Sequence, residues 1–151
     1  MKKRTRRKVW NLLNPVQHAI DGAMIVPQEL LMPLRLRELG AIEAFRTGTA
    51  GLQEWHDLNA MHGLCETMAR EKIGPEALEA CERCETYLIE AARRFERMGK
   101  MGTSGPGLQA FRDVYEFHDL QRTSVARATY DRMIRLATAR IRSQAPCVTV
   151  L

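Results

Sequence analysis

Apolar residues recur at spacings of three and four through most of this chain, and glycines and prolines cut the pattern into helical stretches. Asn14 followed by Pro15 reads as an N-cap with proline in the first turn, predicting a short helix to about Asp21 that Gly22 ends. Pro27 and Pro33 frame a loop or single turn, and Pro33 is placed to open a second helix through about Arg46. That helix carries Leu34, Leu39, Ile42 and Phe45 on one arc, and Gly48 closes it. Thr49 can cap a third helix through about Glu71, with Trp55, Leu58, Met61, Cys65 and Met68 along one side. After Gly74 and Pro75, a fourth runs to about Met98 with a seven-residue rhythm: Cys81, Leu88 and Phe95 at one position, Cys84, Ala91 and Met98 at another. This is the pattern of a bundle seam.

A glycine-rich stretch follows, with Gly99, Gly102, Gly105, Pro106 and Gly107, and beyond it about 35 residues to Gln144 contain no Gly or Pro. As one helix they would span roughly 50 Å. Leu108, Phe111, Val114 and Tyr115 face a core in its first half, and Tyr130, Met133, Ala137 and Ile141 in its second. The intervening residues 118–124 are polar, which fits a bend, an exposed section or a buried polar site. No stretch reads as a strand. The expectation is an all-α, single-domain helical bundle at residues 14–145 with about four main helices and a long C-terminal helix. A flexible, disordered basic arm at 1–13 and a short tail at 146–151 flank it. The length of 151 residues suits one domain with one core.

Charge changes this picture by being segregated. Lys2, Lys3, Arg4, Arg6, Arg7 and Lys8 supply more than the whole formal charge of +5. Residues 9–121 carry a balance of −6, and residues 122–151 one of +5, with six Arg against Asp131. Two basic ends around an acidic middle point to a binder of anions or acidic surfaces. A solvated terminus is the competing reading of the arm. As a phosphate contact surface, the arm would give a log-log salt slope of about −5 on duplex DNA. In the last helix Arg135 and Arg142 share a face, as do Arg122 and Arg140, while the set including Arg127 and Arg132 is spread around the axis. Only Tyr130 is interleaved with them as a stacking aromatic.

No apolar run is long enough for a transmembrane helix, and the polar residues of 9–20 break any export signal. Four thiols in a chain able to build its own core point to reduced cysteines in a cytoplasm. His62, Cys65, Cys81 and Cys84 read H-x2-C-x15-C-x2-C, a spacing within the zinc range, and a hairpin about residue 73 would bring the two pairs level. The thiols also lie on the apolar seams, where cysteine acts as a small hydrophobe, so packing is the favoured role and no metal or other cofactor is expected. Asn59, His62 and Glu66 share a helix face, and His118 with Asp119 and Gln121 occupies the polar middle of the last helix; packed together they would form a buried polar cluster around His62 and His118. Residues 102–107 precede a helix but lack the order of a nucleotide-binding loop. A helix-turn-helix over 46–55 fits poorly, because His56, Asp57 and Asn59 follow where a basic reading face belongs. No catalytic signature emerges.

Lys3-Arg4-Thr5-Arg6-Arg7-Lys8-Val9-Trp10, Glu43-Ala44-Phe45-Arg46-Thr47-Gly48, and Gly102 to Gly107 with Tyr115-Glu116-Phe117-His118-Asp119-Leu120 resemble small basic proteins of unknown function from bacterial prophages and plasmids. The resemblance implies a mobile-element accessory protein in a bacterial cytoplasm. Such a protein would bind a host or viral component stoichiometrically, defence systems included, without catalysis. The alternative is a nucleic-acid binder using the arm and Arg132, Arg135 and Arg142; a zinc-binding helical protein stands third. The seam would serve a homodimer as readily as a monomer.

Overall fold

Local chemistry sets most helix ends. The computed structural model describes residues 22–143, which form five helices: α1 (Gln28–Thr47), α2 (Leu52–Arg70), α3 (Ala77–Met98), α4 (Gly105–Thr123) and α5 (Arg127–Arg142). Gly48 ends α1 at φ 76, a left-handed conformation that its missing Cβ permits, and its N–H reaches back to the Ala44 and Phe45 carbonyls. Thr49 also donates its N–H to Ala44, so it belongs to the end of α1 and does not cap α2. The α2 cap is Gly51, whose N–H is held by the Glu54 carboxylate at 2.8 Å. Ser104 caps α4 by accepting from the Gly107 N–H at 3.2 Å.

The fold class is all-α, as expected; among the described residues the only strand-like feature is an isolated antiparallel bridge between Ile25 and Ala126. Helices α1 to α4 form a closed bundle, each packing on the next and α4 returning to α1, while α2 also crosses to α4. The fifth helix packs on α2. Trp55, Leu58, Cys65, Cys84, Leu88, Phe111 and Val114 fill the main core. A second cluster of Val26, Leu31, Met68, Tyr130 and Met133 attaches α5.

Several local expectations change. Pro33 lies inside α1, and Pro27 is the N-cap, so residues 28–33 are helix where a loop is expected. Proline there removes one backbone hydrogen bond, and full burial of Leu31 in the second cluster offsets that loss. Leu39 and Met98 are exposed, as is Ile141; the inward position near Leu39 is taken by Glu38. The terminal run is two helices. Thr123 and Ser124 return their hydroxyls to the Asp119 and Gln121 carbonyls, and the Arg127 N–H leaves the helical ladder to donate to Met24 at 2.8 Å. Gly22 is itself helical. The expected helix at 15–21, the basic arm and the C-terminal tail lie outside the described residues.

Candidate functional site

Two polar assemblies and one surface gather the chemistry of the described residues. The first sits where α4 meets α1. Arg122 is fully buried, gives Nη1 to both oxygens of Glu38 and donates Nε to Asp119 at 2.9 Å. Asp119 also accepts from Arg35 Nε at 2.8 Å, so two carboxylates and two guanidinia alternate across the α1–α4 junction. Burial lifts the Glu38 carboxyl above its usual range while Arg122 pulls against it. Burial would raise Asp119 as well, but Arg35 and Arg122 outweigh it and hold that carboxyl low.

Beside this network His118 is buried and gives its Nδ1–H to Gln121 Oε1 at 3.1 Å. Gln121 spends both amide hydrogens on backbone carbonyls, those of Cys65 at 3.2 Å and Ile73 at 2.9 Å. The pair therefore latches α4 onto the turn between α2 and α3. Gly74 makes room for it, since a Cβ there would lie 3.1 Å from Gln121 Cγ. Burial, reinforced by the positive Arg122, holds the His118 pKa down to about 4, so the ring is neutral at physiological pH. A cavity of about 100 Å³ opens between His118, Arg122, Tyr130 and α1. Its size suits water or a very small solute.

The second assembly centres on Glu66. Arg140 of α5 reaches Glu66 at 2.7 Å and the Thr67 hydroxyl at 2.7 Å, and Arg70 reaches Glu66 at 2.8 Å. His62 is fully buried, with Nε2 3.0 Å from the Cys81 carbonyl and 3.4 Å from Glu66. Burial lowers its pKa against the pull of Glu66. The ligand atoms of His62, Glu66 and Glu85 lie within 4.8 Å of one another, a geometry a cation could use. Arg140 and Arg70 already supply positive charge to Glu66. The thiols expected beside His62 form no such group with it among the described residues. Cys65, Cys81 and Cys84 are free and buried in the main core. A hydrogen bond with Cys81 and burial raise the Cys65 thiol far above its usual range, and burial does the same to Cys84, so both are neutral thiols packed in the core.

The hydrogen bonds of His62 and His118 go to different groups, the Cys81 carbonyl and the Gln121 amide oxygen. Each has its own partners, and Asn59 lies half-buried on the same helix as His62 and Glu66. Spacing gives no sign of Glu38, because it meets Arg122 across the fold, whereas Gln121 lies in the polar stretch at 118–124 and Arg122 in the basic set that the sequence marks.

The surface is the outer side of α5. Tyr130, Met133 and Ala137 bury a narrow seam, and Arg140 is pinned to α2. Ile134 at 40%, Leu136 at 36% and Ile141 at 40% remain exposed. Arg132, Arg135 and Arg142 are exposed among them and form no ion pair with any described residue. Tyr130, the one aromatic interleaved with these arginines, is buried in the second cluster. Lys2, Lys3, Arg4, Arg6, Arg7 and Lys8 lie outside the described residues. No helix among the described residues is long and apolar enough to cross a membrane. Comparison with family models, with curated proteins and with solved structures yields no match.

Proposed function

We propose that this chain is a non-catalytic accessory protein of a mobile element, which binds an acidic surface of a host or viral protein stoichiometrically through the outer side of α5. The observation that carries this reading is the mixture on that helix: Arg132, Arg135 and Arg142, exposed and in no ion pair among the described residues, as is Arg127 at its start, together with three exposed aliphatic side chains. Arginine with aliphatic neighbours fits a protein interface, where a desolvated apolar patch and guanidinium forks act together. Nucleic acid would favour arginines with accessible aromatics, and burial of Tyr130 removes the aromatic this helix carries. Free buried thiols agree with a reducing bacterial cytoplasm. A component of a host defence system is one such partner.

A second reading, nucleic-acid binding through residues 2–8 together with Arg132, Arg135 and Arg142, draws support from the absence of carboxylate partners for these three arginines. A photo-crosslinking amino acid at position 138, compared in bacterial cells with one at position 79 on α3, separates the two. The expected result is a discrete protein adduct from position 138 that disappears when Arg135→Glu and Arg142→Glu are combined. Adducts with nucleic acid alone would transfer the function to the second reading. No adduct from position 138 would remove α5 as the contact surface.

A further inference from the structure

A cleft of about 830 Å³ opens between the second half of α3 and the loop at residues 99–104 that leads into α4. Arg93, Arg94 and Arg97 line it together with Glu90. Arg93 and Arg97 are four apart and so share a helix face, where like charges repel by roughly 0.2–0.5 kcal/mol. Arg94 lies over the loop, so close to Gly102 that a Cβ there would meet its guanidinium carbon and one terminal nitrogen at 3.4 Å. None of the three forms an ion pair among the described residues, whereas Arg35, Arg46, Arg70, Arg83, Arg122 and Arg140 all do. The negative end of the α3 dipole favours Arg97 in the last turn, but that effect fades before Arg93.

The start of α4 adds little to this charge. Ser104 occupies the Gly107 amide, and Pro106 has no N–H to offer. Gly107 is explained by packing, since a Cβ there would fall 1.9 Å from Thr103 Oγ1. The glycine-rich stretch therefore acts by letting the loop lie against Arg94 and the helix start, and the anion-attracting groups of the cleft are its arginines.

We propose that this cleft binds a small phosphorylated ligand. Three guanidinium groups against one carboxylate leave two positive charges in excess, which matches a phosphate monoester dianion or a diphosphate. Planar N–H forks pair with phosphate oxygens in two-point contacts that a point charge cannot reproduce. The volume exceeds that of a bare phosphate and lies in the range of small-molecule sites, roughly 300–1,000 Å³. Ile89 and Met98 add apolar lining beside Thr86, Thr103 and Ser104, so the phosphate is expected to carry a body with both apolar and polar groups. This site lies on α3, apart from the α5 surface, and stands or falls independently of it.

The test is titration calorimetry of the whole chain with adenosine diphosphate, pyrophosphate and sulfate at near-physiological salt. Adenosine diphosphate is expected to bind with a Kd on the order of 100 µM or tighter. Sulfate is expected to bind at least about tenfold more weakly. Combining Arg93→Gln, Arg94→Gln and Arg97→Gln should weaken the nucleotide at least about tenfold, with the helical circular dichroism and melting retained because all three side chains are exposed. Combining Arg132→Gln and Arg135→Gln should change nothing. The proposal is overturned if neither phosphorylated probe binds up to roughly 1 mM. It is equally overturned if binding survives the triple substitution, or if sulfate binds as tightly as the nucleotide.

Discussion

Arg122 and Arg135 belong to one arginine-rich run, yet the fold gives them opposite tasks. Arg122 is sealed at the α1–α4 junction between Glu38 and Asp119, and Arg135 stands in solvent on a helix attached by a single seam. The difference is one of desolvation. A buried guanidinium is tolerated only because carboxylates have been buried with it, so its removal strands them; an exposed one is hydrated and remains available to a partner. The α1–α4 junction is therefore built around paired charge, whereas the outer side of α5 carries arginines without ion-pair partners among the described residues.

The largest effect should come from breaking the buried pair. Arg122→Met is expected to cost about 3–5 kcal/mol in urea unfolding, because Glu38 is left buried and unpaired, whereas Arg135→Met should stay within about 0.5 kcal/mol. Adding Glu38→Leu to Arg122→Met should recover much of the loss. Equal effects at 122 and 135 would erase the contrast between the two arginines.

Acid should weaken the same region. The folded pKa of His118, about 4, lies below its ordinary 6.5, so the unfolded chain takes up the proton first as pH falls. Stability is expected to be fully present above pH 6.5 and to be lost progressively toward pH 4, by up to about 3 kcal/mol. Burial of His62 adds in the same direction. Glu38, raised by burial, acts oppositely and loses stability as pH rises through its folded pKa. Urea unfolding across this range should show a shallower acid slope for His118→Gln. An unchanged slope would mean that burial beside Arg122 does not hold the ring neutral.

A smaller and more local effect sharpens the comparison from the other side. Met133→Ala is expected to cost about 2–3 kcal/mol, and amide hydrogen exchange should show the loss concentrated in α5. Uniform acceleration through α3 and α4 would make α5 part of one cooperative unit rather than an appended helix.

Much of the helical layout was legible from residue spacing. Gly48 and Gly74 stand where breaks were expected, and the α2 stripe from Trp55 to Met68 is buried as its spacing predicts. The misreadings share a cause. Pro33, the break at 124–126 and the exposure of Leu39 each depend on neighbours distant in sequence: the second core cluster for Pro33, Met24 for the break and Arg122 for Glu38. In the candidate sites, the zinc spacing was real as a pattern, but a spacing says nothing of burial, and the thiols went to the core.

By itself the sequence determined the all-helical class, most of the turns and the apolar faces of α2 and α3, because helix hydrogen bonds and face periodicity act over three or four residues. Only the tertiary structure decided which charges are structural and which are free. Arg122 finds Glu38, and Asp119 finds Arg35, across separations of 84 positions. Local pattern cannot encode such pairings. They are selected when burial removes water and leaves each ion dependent on the partner that packing brings to it.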